Sequence, residues 1–208
     1  MSDVLVPGDR DVRGTLEEPE SDDGNKSRDD PDAIVIACPP HPQHGGSRTD
    51  PRLVAVSDAL LEAEIACLRF DYGPWDEGAG EREDVRNAIC WANERYDRVG
   101  VFGYSFGATL ALIAAPDAAC DAVSVLAPTA RLGEDLDALE GLERAELPVC
   151  VLYGERDTTV DWSPIVEAAT ERGDESVELS GDHFFLGKHG EIASAISEFF
   201  ERTLLESS

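Results

Sequence analysis

The segment best suited to nucleophilic chemistry is GYSFG at residues 103–107. It follows the strand-like run VGVF and precedes ATLALIAA, a small-residue stretch with helical character. A serine on such a strand–turn–helix junction exposes its hydroxyl above a sheet, and the flanking glycines permit close backbone approach. Ser105 is therefore the candidate nucleophile. The N–H of the next residue, Phe106, opens the helix and is expected to face the oxygen of a reacting carbonyl.

A serine hydroxyl attacks only when a base accepts its proton. The histidines are His41, His44, His183 and His189. Where a serine on this kind of turn is followed by an acid and then a histidine, the base lies late in the chain. His183, in ELSGDHFF after the strand-like SVEL, is preferred over His189 in the Gly-rich GKHG. Asp157, in VCVLYGERD, follows a strand closely enough to reach the far ring nitrogen, with Glu155 and Asp161 as competitors. The second oxyanion donor is sought in PPHPQHGGS. Prolines 39, 40 and 42 have no N–H, so the Gln43 amide is the expected donor and His41 is structural. Tyr72, Trp75, Tyr104, Trp162 and Phe184 are candidate pocket walls. No metal-ligand spacing is present, and the expected chemistry calls for no cofactor.

The elements that must position these residues alternate along the chain. Possible strands occur in DVLVPG and VRGTLEE, divided by a turn at Pro7 and Gly8. Residues 18–31 are polar, acidic and turn-rich and read as an exposed loop. AIVIAC (33–38) is a continuous β-branched run, as in a strand buried on both faces. Helix 53–63, strand 65–70, helix 82–95, strand 99–103, helix 106–115 and strand 122–126 follow. A short helix near 135–143, strand 149–153, helix 164–172, strand 176–179 and an amphipathic helix over 192–205 complete the alternation. This pattern predicts an α/β chain, 1–208 as a single domain, with a mostly parallel sheet covered on both faces and no inserted lid.

The ordered segments HPQHGG, ACLRFDYGPWDEG, GEREDVRNAICWA, GYSFGATLAL, LYGERDTTV and GDHFF resemble the small prokaryotic α/β-hydrolases related to dienelactone hydrolases and serine-aminopeptidase-like hydrolases. The likeness runs over about 32–200. It implies an α/β-hydrolase fold and a lidless serine hydrolase acting on ester, thioester or amide carbonyls of a small acyl substrate. Two departures stand out: the HPQHGG loop is shorter than the family's HPHPLYGG, and residues 70–78 lack the arginine of FNFRGVGRSEG. A peptidase or amidase on the same side chains is the alternative within this chemistry. A non-catalytic binding protein on the same fold is the alternative outside it.

Composition narrows the setting. The chain carries 44 acidic against 17 basic residues, a formal charge of −27, and only two of the cations are lysines. Such a field repels nucleic acid and anionic membranes. With acids spread along the chain, it is similar to proteins of salt-accumulating halophiles, where molar salt shortens the screening length to ~3 Å. No apolar run approaches the ~20 residues of a membrane span, and MSDVLVPGDR lacks a signal-peptide pattern. A cytoplasmic location is expected. The five cysteines lie in apolar surroundings and are expected to be buried thiols.

Overall fold

The computed structural model describes residues 1–20, 31–133 and 135–205. An eight-stranded sheet runs in the order β1 (Ser2–Val6), β2 (Val12–Glu17), β4 (Ala66–Asp71), β3 (Ala33–Cys38), β5 (Arg98–Tyr104), β6 (Ala122–Leu126), β9 (Val149–Gly154) and β10 (Glu175–Leu179). Strands from β4 to β10 in this order pair in parallel, and β2 alone runs against its neighbours. A separate two-stranded hairpin is formed by β7 (Arg131–Leu132) and β8 (Leu136–Asp137).

The continuous apolar runs in the sequence are explained by burial on both faces. Along β3, Ile34, Ile36 and Cys38 pack into one cluster, and Ala33, Val35 and Ala37 into the other. The first face is covered by α2 (Ala79–Asn93), α3 (Phe106–Ala114), α4 (Ala138–Arg144) and α5 (Ser163–Arg172), with Val85, Ile89, Leu110, Leu142 and Ile165 buried there. The second is covered by α1 (Pro51–Glu62) and α6 (His189–Phe200), through Leu53, Val56, Leu60, Ile192, Ile196 and Phe199.

Several boundaries differ from the sequence expectation. Helix α1 starts at Pro51, because the Asp50 side chain caps the Arg52 N–H at 2.9 Å and proline suits the first turn. Helix α2 starts at Ala79, where the Glu81 carboxylate reaches back to the Gly78 N–H at 2.8 Å. The helix expected over 135–143 begins only at Ala138; residues 136–137 pair with 131–132 instead. Helix α6 ends at Phe200 and continues as a π-turn through Leu205. The loop expected over 18–31 falls mostly on 21–30, outside the described residues. Burial of the cysteines holds for Cys38, Cys67 and Cys150, but Cys120 is half-buried and Cys90 is exposed. Cys90 sits between the inward-facing Ile89 and Trp91 of α2 and so points away from the sheet. Among the described residues no helix is long and apolar enough to cross a membrane.

Candidate active site

Parallel strands deliver their following loops to one edge of a sheet. Strands β5, β6, β9 and β10 are consecutive neighbours, so the turns after β5, β9 and β10 open side by side. These three turns carry Ser105, Asp157 and His183.

Ser105 joins β5 to α3 with φ 56° and ψ −113°, a conformation that costs a non-glycine residue about 1–3 kcal/mol. The turn is held from below by the Ser105 N–H on the Leu126 carbonyl at 2.8 Å, and its carbonyl accepts the Thr109 N–H at 3.1 Å. Neither flanking glycine could carry a side chain. A Cβ at Gly103 would lie 2.3 Å from the Gly107 carbonyl oxygen, and one at Gly107 2.3 Å from that of Cys38.

The hydroxyl of Ser105 lies 3.0 Å from His183 Nε2, and His183 Nδ1 lies 2.7 Å from Asp157 Oδ2. A carboxylate can only accept, so Nδ1 carries the proton and Nε2 is left to accept from the serine. The other oxygen of Asp157 accepts the Thr159 N–H at 2.8 Å, and its backbone carbonyl accepts the Trp162 Nε1–H at 3.2 Å. Both Asp157 and His183 are buried. Glu155 instead turns outward to Arg156 and Ser180, and Asp182 accepts the Phe184 N–H. His189 opens α6.

Ser105 and His183 border a cleft of about 600 Å³ whose walls include Pro40, His41, Phe106, Leu132, Val160 and Phe184. Of the five aromatic candidates, Tyr104 and Phe184 line it, and Tyr72, Trp75 and Trp162 do not. Tyr72 packs edge-on to Phe106 and donates its hydroxyl to the Pro39 carbonyl at 3.1 Å. Trp75 lies against His41, with ring centres 4.7 Å apart, and Trp162 stacks on Tyr153 at 4.4 Å.

Among the described residues the backbone N–H groups of Phe106, first in α3, of His41 and of His183 have no acceptor at the cleft, and those of Phe106 and His41 belong to the two loops that meet beside Ser105. The Gln43 N–H is engaged, donating to His41 Nδ1 at 3.3 Å, and Gln43 is not part of the cleft wall. Pro42 in the first turn of a 3-10 helix (Pro42–His44) directs this amide back onto the ring. The His41 ring stacks on His44 at 4.5 Å, and burial together with the neighbouring His44 holds its pKa below the usual histidine value. The ring that accepts from Gln43 is thus kept neutral.

The loop bearing Trp75 is anchored from a distance. Arg10, in the turn between β1 and β2, donates to Asp84 Oδ1 at 2.8 Å and to the Pro74 carbonyl at 2.6 Å. Buried Glu81 accepts from the Asp76 and Gly78 amides of the same loop. Residues 70–78 lack an arginine of their own, and a guanidinium arrives from 64 positions earlier.

The sequence reading did not single out Asp50, Arg52, Leu132 or Val160. The Asp-Pro pair ahead of an apolar helical run was a legible cap signal for Asp50, whereas Leu132 reaches the cleft only through a hairpin that no local pattern announces. Among the described residues, no group of three or more His, Cys, Asp or Glu side chains is placed to hold a metal ion.

No protein-family model matches the chain, and no curated protein matches it in sequence. Solved structures do match. A lidless α/β serine hydrolase from Xanthomonas campestris is similar with a TM-score of 0.79 and 22% identity, over 100% of this chain and 96% of that one. A dienelactone hydrolase from Anabaena variabilis gives a TM-score of 0.77 and 22% identity, over 98% and 97%. An esterase from Pyrococcus furiosus gives 0.79 and 18%, over 98% and 91%. These likenesses show that the chain has the α/β-hydrolase fold.

Proposed function

We propose that the protein is a serine hydrolase that cleaves small esters, thioesters or related acyl compounds through an acyl-enzyme. The observation that carries this reading is the continuous hydrogen-bonded line from Ser105 Oγ through the His183 ring to buried Asp157, ending at the mouth of a cleft. Ser105 Oγ attacks the carbonyl carbon while His183 Nε2 takes its proton; Asp157 stabilises the resulting imidazolium. The leaving group departs with that proton. Water, deprotonated by His183 in turn, then attacks the acyl-enzyme, and the serine regains its proton. The Phe106 and His41 N–H groups, rather than Gln43, bind the oxyanion in both steps.

Charge narrows the substrate. Each arginine and lysine among the described residues stands within ion-pair distance of a carboxylate. Arg52, the cation in the cleft wall, is paired with Asp50. An anionic acyl group entering a molecule of formal charge −27 therefore meets no free described cation. Neutral substrates are favoured. The same pairing leaves most of the described carboxylates without a cation among the described residues, which supports the salt adaptation expected from composition.

The test is a panel of neutral 4-nitrophenyl esters and their carboxylate-bearing counterparts, assayed from dilute buffer to molar KCl. Activity toward the neutral members is expected, together with a melting temperature that rises with salt. Ser105→Ala should lower kcat by several orders of magnitude without loss of fold. Turnover that survives this substitution refutes the assignment, and equal or better use of the anionic esters refutes the substrate class.

A further inference from the structure

The triad is held by more than its own hydrogen bonds. Tyr104 precedes the nucleophile and points to the face of the sheet covered by α1 and α6. Its hydroxyl donates to the His183 carbonyl at 2.9 Å. The next carbonyl along, that of Phe184, accepts from Arg52 Nη1 at 2.8 Å. Arg52 also lies over the Tyr104 ring, with Cζ 4.5 Å from its centre. Two successive carbonyls of the loop that bears the base are therefore held by two side chains in contact with each other.

Arg52 is itself immobilised. Its Nε donates to Asp50 Oδ1 at 2.7 Å and its Nη2 to Asp50 Oδ2, while the Asp50 side chain is fixed by capping α1. Only 13% of the Arg52 side chain and 8% of the Asp50 side chain are exposed. A pair this buried adds little net stability over an apolar substitute. What sets it apart is where its remaining donor ends. Burial raises the Tyr104 pKa to about 12, against the pull of Arg52, so the phenol keeps the proton it donates.

We infer that Arg52 is a positioning residue: anchored on Asp50 and stacked on Tyr104, it clamps the His183–Phe184 backbone and thereby holds the His183 ring at hydrogen-bond distance from Ser105. The inference rests on the hydrolase reading for its effect on rate. Its geometric content is independent of that reading. Lysine can restore the cation but not the three-way set of donors, because an ammonium lacks the planar fork.

The experiment compares wild type, Arg52→Met, Arg52→Lys and Tyr104→Phe in molar KCl, well below each melting temperature. A small displacement of a catalytic group costs up to about 10²-fold in rate. Arg52→Met is expected to lower kcat for 4-nitrophenyl acetate about 10–100-fold, with KM changed less than about threefold. Arg52→Lys should recover part of the loss. Tyr104→Phe, which removes the other donor, should lower kcat in the same way and serves if Arg52→Met does not fold. The second readout is the downfield proton resonance of His183 Nδ1–H, identified by its loss in His183→Gln. It should be sharp in wild type and broadened by solvent exchange in Arg52→Met and Tyr104→Phe. Wild-type kcat and an unchanged resonance in Arg52→Met, or in Tyr104→Phe should the former not fold, overturn the clamp. A wild type that neither hydrolyses esters nor takes up a fluorophosphonate on Ser105 overturns the hydrolase reading instead, and the resonance then decides the clamp alone.

Discussion

The turn at Ser105 and the loop after β3 meet at the cleft, but they are built by different means. The turn at Ser105 is fixed by main chain: a ladder bond to Leu126, a helix start, and two glycines that admit neighbouring carbonyls. The loop over 39–50 has short main-chain bonds within itself, such as the His44 and Gly46 N–H groups on the His41 carbonyl at 3.0 Å, but it is tied to the rest of the molecule by side chains from elsewhere. Tyr72 holds the Pro39 carbonyl, Arg69 holds the Arg48 carbonyl at 2.6 Å, and Asp71 accepts the Arg48 N–H at 2.7 Å. Trp75 covers the His41 ring. Backbone-built geometry tolerates changes in surrounding side chains, whereas side-chain-built geometry inherits the fate of each tether. The first half of the site should therefore fail through chemistry and the second through displacement.

The largest effect is expected in the hydrogen-bonded line that starts at the Ser105 turn. Asp157→Asn keeps the acceptor for the Thr159 N–H but offers an amide to His183 Nδ1, which favours the wrong tautomer. Activity should fall about 10⁴-fold, as in other triads of this kind, while melting shifts by only a few degrees. A large loss of stability with little loss of rate in the folded fraction would reverse the comparison.

A middle-sized effect tests the loop through its own backbone. The φ of His41 is −56°, which proline can adopt. His41→Pro deletes both the ring and the N–H, and His41→Ala deletes only the ring. The proline variant should be slower than the alanine variant by about 10²–10³-fold in kcat, the cost of one oxyanion donor. Equal rates in the two would return the donor role to another amide, Gln43 included.

The smallest effect at the site comes from a remote tether. The buried Glu17 carboxylate accepts from Arg69 Nη2 at 2.6 Å and from Ser57 Oγ at 2.7 Å. Burial raises its pKa, but the Arg69 and Ser57 hydrogen bonds outweigh this and hold it below the usual glutamate value. A lowered folded pKa stabilises fully above the unfolded value, near 4.3, and the gain is lost as pH falls through the folded one. Glu17→Gln should therefore cost about 3 kcal/mol near neutrality, with the gap to wild type closing below about pH 4. The kcat of the folded variant should fall only a few-fold, through Arg69 and the Arg48 carbonyl. A stability gap that is constant across acid denaturation curves would show that the pair contributes no charge-dependent stability.

The same contrast explains what the sequence discloses. The parallel sheet is legible because β3 is uniformly apolar, β5 and β6 are nearly so, broken only by Arg98 and Ser124, and all three alternate with helical periods. Ser105, Asp157 and His183 can be placed because each lies just past a recognisable strand, and the structure brings them to hydrogen-bond distance. The loop after β3 is not legible in this way. Proline elimination leaves Gln43 with a free amide on paper, but only the folded loop turns that amide onto the His41 ring. Tyr72, Trp75 and Trp162 are the right residue types near the right turns, yet each faces a neighbour rather than the cleft. Side-chain direction in an irregular loop depends on partners far away in the chain, such as Arg10 for Trp75.

Arg10 has a bearing on how this molecule can be cut and rejoined. The parallel strands and their helices look like a self-sufficient unit, with the hairpin of β1 and β2 as an ornament on its edge. Arg10 removes that independence, since its guanidinium is the counterion for the wholly buried Asp84 and a brace for the loop under Trp75. Trimming back to β3, or moving the chain ends into the turn after Pro7 by circular permutation, removes or loosens the cation that Asp84 pairs with among the described residues. The hairpin is better regarded as a keystone than as a leader: small, peripheral in outline, and under load from the cleft.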